Sequence, residues 1–177
     1  MTGGILPYAA PNDVRANKNR VKRNKRKIIL CRGIQGSGKS TWAKKWVLED
    51  PKQRVRFNND DIRNMLGEYW VPNREDIVLS IKNAFLTSSM FFGKDIVIDN
   101  MNLNPKEVEF YKNIIDNYNN PKGVIPDMVR NEYELEFMNF YTPLEVCIER
   151  DSKRSNPAGE GVIRATYEKY KDIIEIS

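Results

Sequence analysis

The 177-residue sequence contains no histidine. This excludes Ser-His-Asp triads, His-activated cysteines, His-ligated zinc and any imidazole acid or base. Cysteine is scarce as well: Cys31 and Cys147 both lie in apolar stretches and form neither a disulfide framework nor a metal-ligand spacing. Such usage fits a reducing compartment, and a cytoplasmic protein is the expectation. No apolar run approaches the roughly 18–20 residues of a membrane span, and no signal peptide opens the chain, so no membrane association is expected.

What remains is an ordinary globular composition, with 40% hydrophobic and 30% charged residues. A chain of this length forms one domain and buries about 70% of its unfolded surface without staples. The formal net charge of +5 is unevenly spread. Residues 1–27 hold eight basic side chains and one acid, a net of +7, while the remaining 150 residues carry 21 basic and 23 acidic groups, a net of −2. Residues 1–26, rich in Asn, Gly and Pro, read as a basic arm that is flexible in isolation. Residues 27–177 read as the folded domain.

Within that domain strands and helices alternate. Lys27–Arg32, Arg54–Asn58, Asp95–Asp99 and Tyr133–Tyr141 have strand character. Helical spacing covers Ser40–Glu49, a short segment capped by Asn59, Glu75–Phe92, Pro105–Tyr118, a segment from Leu144 and one near Gly161–Asp172. Thr142-Pro143-Leu144-Glu145 has the form of a capping box. Residues 119–132 read as a loop. The alternation predicts an α/β fold with a small parallel sheet of four to five strands, flanked by helices.

Between the first strand and first helix stands Gly33-Ile34-Gln35-Gly36-Ser37-Gly38-Lys39-Ser40, a complete G-x-x-x-x-G-K-S. Phosphates need a ring of backbone N–H donors, and glycines let the chain wrap closely enough to supply them. Gly33, Gly36, Ser37, Gly38, Lys39, Ser40 and Thr41 are thus the candidate ATP-binding residues. Lys39 would reach the β- and γ-phosphates, and the Ser40 hydroxyl would coordinate Mg²⁺.

Asp60 and Arg63, three apart after the second strand, share one helix face. A carboxylate there can take the proton of an attacking hydroxyl while the arginine holds a phosphate of the acceptor. Ile96-Val97-Ile98-Asp99 has the form of a Walker B strand, with Asp99 able to hold a magnesium-bound water and to face the acceptor. The Asn100–Asn104 turn adds amides, of which Asn102 is the candidate for a phosphate or sugar. Arg150, Lys153 and Arg154 precede a Ser-Asn-Pro-Ala-Gly loop, the composition of a cationic lid over a transferred phosphoryl group.

KIILCRGIQGSGKSTWAKKWV, FNNDDIRNML, IVIDNMNLNP and PLEVCIERDSKR together resemble the 5′-hydroxyl polynucleotide kinases of the phage T4 type, with the wider P-loop kinase group a looser match. The likeness spans nearly all of residues 27–172. It implies a P-loop kinase fold with a helical lid, ATP and Mg²⁺ as cofactors, and a nucleic acid with a 5′-OH end, RNA or DNA, as partner. It implies Asp60 as general base, Arg63 on the phosphate beside the 5′ nucleoside, Arg154 as the lid arginine, and Lys39 and Ser40 serving ATP and Mg²⁺; Arg150, from the cationic run, is a further candidate for ATP. Asn59 stands where the family often has Arg, and Met101 where many relatives have Thr. Neither a DxDGT phosphatase motif nor a KxDG ligase motif is present. Two other readings stay open: transfer to another hydroxyl (a modified base in DNA, a nucleotide sugar or a small alcohol), and nucleotide-dependent binding of nucleic acid without catalysis.

Overall fold

In the computed structural model, residues 23–67, 69, 71–122 and 131–175 are described. The chain runs β1 (Asn24–Arg32), α1 (Lys39–Glu49), β2 (Arg54–Phe57), α2 (Asn59–Met65), α3 (Glu75–Phe91), β3 (Asp95–Ile98), α4 (Pro105–Asn119), β4 (Asn131–Asn139), α5 (Leu144–Ser152) and α6 (Glu160–Glu175), with a 3-10 turn at Pro72–Arg74. The four strands form one parallel sheet in the order β2-β3-β1-β4. This is the α/β architecture that the alternation predicts.

Side chains alternate across a strand, so a sheet covered on both faces is apolar at successive positions. β1 does this: Ile28 and Leu30 join Phe57, Ile96, Ile98 and Tyr111 on the face covered by α3 and α4. Ile29 and Cys31 point the other way, to Ala43 and Trp46 of α1. A third cluster of Ile34, Leu103, Cys147 and Ile163 fastens α5 and α6 beside the loop that follows β1. Cys31 and Cys147 are both buried and unpaired. Among the described residues no helix is long and apolar enough to cross a membrane.

Several boundaries differ from the sequence reading, and each shift has a local cause. β1 begins at Asn24 rather than Lys27, because Asn24–Lys27 pair with Asn131–Glu134 of β4. Three basic residues there are engaged: Arg23 donates to the Asn119 carbonyl at 2.9 Å, Arg26 lies 3.8 Å from Asp95, and Lys27 pairs with Glu136 at 3.1 Å. Part of the positive excess therefore belongs to the sheet; residues 1–22 lie outside the described residues. In the 119–132 connection β4 starts at Asn131, two residues early, and residues 123–130 lie outside the described residues. Asn58, not Asn59, caps α2, its side chain accepting from the Asp61 amide at 3.0 Å.

The capping box does not form. α5 has Pro143 at its N-cap with no side-chain cap, and the Thr142 hydroxyl instead donates to the Ser37 carbonyl at 2.9 Å. The competing acceptor is a loop brought in from 105 residues away.

Candidate active site

The loop between β1 and α1 is shaped by two glycines and by what crowds them. Gly36 and Gly38 have φ of +77° and +98°, in the region that L-residues avoid. A Cβ on Gly36 would lie 2.2 Å from the Cys147 carbonyl oxygen, so α5 presses directly on the loop. Gly38 caps α1, whose first turn holds no acidic residue to compete with an anion. Lys39 is 8% exposed and donates to the Ile34 carbonyl at 2.7 Å. Burial pushes its ammonium down to about 8.

This loop lines a cleft of about 730 Å³ with Ser40, Thr41, Trp42, Lys45, Asn58, Asp60, Asp99, Phe140, Arg150 and Arg154. A second cleft of about 570 Å³ is lined by Asn59, Asp60, Arg63, Asn64, Tyr69, Glu107, Arg154 and the loop Ser155–Ala158. The two share Gln35, Asp60, Asn100, Met101 and Arg154. The cleft of the glycine-rich loop thus meets a second compartment along a seam that carries one carboxylate and one guanidinium.

Asp60 stands in the first turn of α2, a favourable place for a negative charge. Its Oδ1 accepts from Arg63 at 2.7 Å and from the Tyr69 hydroxyl at 2.8 Å. Arg63 is further gripped by Glu75, with Nε and NH2 each 2.8 Å from a carboxylate oxygen. Those hydrogen bonds hold Arg63 above its ordinary value and Glu75 below its own. Arg63 therefore lines the second cleft as a cation already anchored from behind.

Asp99 lies just beyond β3 with its side chain fully buried. Its Oδ2 takes Arg56 Nε at 2.8 Å and NH2 at 2.6 Å, while Oδ1 is buried without a partner. Arg56 also pairs with Asp61, and Asn58 Nδ2 donates to the Asp99 carbonyl. The end of β3 and the start of α2 are thereby one unit.

On the far wall, Asp151 at the end of α5 is 1% exposed. Its Oδ1 lies 3.3 Å from Arg154 NH1 and its Oδ2 accepts from the Gly159 amide at 3.0 Å, so one carboxylate holds both ends of the loop between α5 and α6. The helical lid expected from the sequence falls on this segment, α5, its loop and α6. Lys153 is not among its cleft-lining cations; it pairs with Glu149 at 2.6 Å on the surface.

One further expectation is corrected. Asn102 does not face an acceptor: it is 1% exposed, has φ of +47°, and donates to the Cys31, Ile98 and Asn100 carbonyls. Its amide closes the ends of β1 and β3. Within this turn it is Asn100 that lines both clefts, its Oδ1 accepting from the Asn59 backbone at 3.0 Å. Arg56, Tyr69, Glu75, Asn100 and Asp151 were not singled out by the sequence, because each acquires its place through a partner set by the fold.

A glycine-rich loop and lysine between the central strand and its helix, with a Walker B-type carboxylate and a cationic lid, define a P-loop kinase fold. The chain belongs to the AAA domain family, whose model matches residues 28–175. Among solved structures it is similar to a chain of the Pnkp1/Rnl/Hen1 RNA repair complex, with a TM-score of 0.67 and 19% identity over 90% of this chain and 48% of that one. A second structure of a Pnkp1/Rnl/Hen1 complex gives a TM-score of 0.54 and 19% identity over 78% and 44%. The Mycobacterium tuberculosis APS kinase CysC gives 0.49 and 17% over 73% and 70%. The chain spans less than half the length of either of the first two chains.

Proposed function

We propose that this chain is a polynucleotide 5′-hydroxyl kinase that transfers the γ-phosphate of ATP to the 5′-OH of RNA or DNA. The observation that carries the reading is the seam: Asp60 and Arg154 stand where the P-loop cleft opens into the second compartment. The acceptor oxygen attacks the γ-phosphorus, its proton passes to Asp60, and the bond from the γ-phosphorus to the bridging oxygen breaks to release ADP. Lys39 and the loop amides hold the phosphates; Arg150 and Arg154 meet the charge that spreads over the transferred group. Arg63, fixed by Glu75, takes the phosphate next to the 5′ nucleoside.

The donor set also fits magnesium. The unpartnered Oδ1 of Asp99 suits a metal-bound water, and the Ser40 hydroxyl lies in the same cleft. Few protein ligands are needed by an ion that keeps several waters and shares phosphate oxygens. When bound, it would neutralise charge on the β- and γ-phosphates.

One observation favours a second reading, transfer to a hydroxyl on a smaller, neutral acceptor: Arg63 is already paired with two carboxylates. Labelled ATP offered with 5′-OH RNA, 5′-OH DNA, mononucleosides and sugars separates the two. Label on oligonucleotides with little on the others supports the first reading; label confined to sugars or small alcohols overturns it.

A further inference from the structure

The second compartment has a feature that phosphate binding and proton transfer do not use. Tyr69 lines it, is about 36% exposed, and stands clear of the P-loop cleft. Its hydroxyl donates to Asp60 Oδ1 at 2.8 Å, which ties the phenol to the proposed base within the wall of this cavity. Gln35, Asn59, Asn64 and Asn100 line the same cavity, and amides suit the polar edge of a heterocycle. A π face in a cavity that also carries amides fits a flat heteroaromatic ring.

We infer that Tyr69 is the platform on which the terminal nucleobase of the acceptor stacks, while its hydroxyl positions Asp60 for the adjoining 5′-OH. The inference rests on the kinase reading above and names the part of the acceptor that is read. Burial, together with the nearby Asp60 charge, raises the Tyr69 hydroxyl from its ordinary value, so it remains a donor at neutral pH. Stacking is tolerant of base identity, because every base has a π face.

Two variants separate the two roles. Tyr69→Leu removes the ring; Tyr69→Phe keeps the ring and removes only the hydroxyl. Each is assayed against wild type with a 5′-OH oligonucleotide and with the same oligonucleotide carrying an abasic 5′ terminus. For Tyr69→Leu, KM for the base-bearing end should rise on the order of tenfold, with little change for the abasic end. Tyr69→Phe should keep the wild-type preference for a base and lower kcat several-fold at unchanged KM. An unchanged ratio of base-bearing to abasic KM in Tyr69→Leu overturns the stacking role; an unchanged kcat in Tyr69→Phe overturns the positioning role. Equilibrium binding of the two oligonucleotides is measured alongside. Transfer to no acceptor would overturn the kinase reading, whereas loss of base-dependent binding in Tyr69→Leu would still support stacking and its retention would refute it.

Discussion

Arg56 takes one oxygen of Asp99 in a two-nitrogen grip, at 2.8 and 2.6 Å, and leaves the other oxygen buried without a partner. The same guanidinium reaches Asp61, one residue from the proposed base. A single side chain thus sets the direction of Asp99, the proposed metal-side carboxylate, and the seat of α2. Replacement by Gln should lower kcat on the order of 10–100-fold and raise the half-saturating Mg²⁺ several-fold, the usual effect of losing an outer-shell partner. Nucleotide affinity measured without Mg²⁺ should stay within about twofold, because no phosphate contact is removed. A metal titration followed by tryptophan fluorescence, with Trp42 in the cleft, checks this without relying on turnover.

Lys39 provides a pH test. Burial favours its neutral form, so the empty site holds a charged lysine below about pH 8 and loses that charge above it. A bound triphosphate favours the ammonium and raises the value again. Nucleotide affinity should therefore be flat below about pH 7 and fall as pH rises through about 8, with a proton taken up on binding at pH 9. Calorimetry in two buffers of different ionisation heat measures that uptake.

Gly36→Ala should be the most damaging change of a single methyl group. The new carbon would lie 2.2 Å from the Cys147 carbonyl oxygen, and the backbone already sits at φ of +77°. Strain of this kind costs about 1–3 kcal/mol, before α5 moves to relieve the clash. A lowered Tm with loss of nucleotide binding is expected; the corresponding change at Gly159, where a Cβ meets nothing within 4 Å, should spare nucleotide binding.

Asp151→Asn keeps an oxygen for the Gly159 amide and removes the charge that holds Arg154. The lid loop should stay in place while its arginine loses its tether. Single-turnover transfer should slow on the order of tenfold or more, with nucleotide affinity and Tm little changed, since misplacing a positioned group acts on the reaction step.

The path from sequence to site was uneven for physical reasons. The place of the loop Gly33–Ser40 between β1 and α1, the order of elements and the shared helix face of Asp60 and Arg63 follow from local pattern. Thr142 satisfies a capping pattern, yet its hydroxyl bonds to Ser37, a partner that helix statistics cannot foresee. Asn102 and Asn100 are chemically alike and two apart; only the left-handed backbone at Asn102 turns it into the core. Arg56 meets Asp99 across 43 residues and Arg63 meets Glu75 across 12, distances over which periodicity carries no information.

Single-turnover transfer from γ-labelled ATP to a 5′-OH RNA and its DNA counterpart, comparing wild type with Asp60→Asn, tests the central claim most directly. The account predicts label on the oligonucleotide with wild type. Transfer by the variant should be at least about a hundredfold slower, the general-base contribution, while ATP affinity is retained. Transfer by Asp60→Asn at close to the wild-type rate would contradict it.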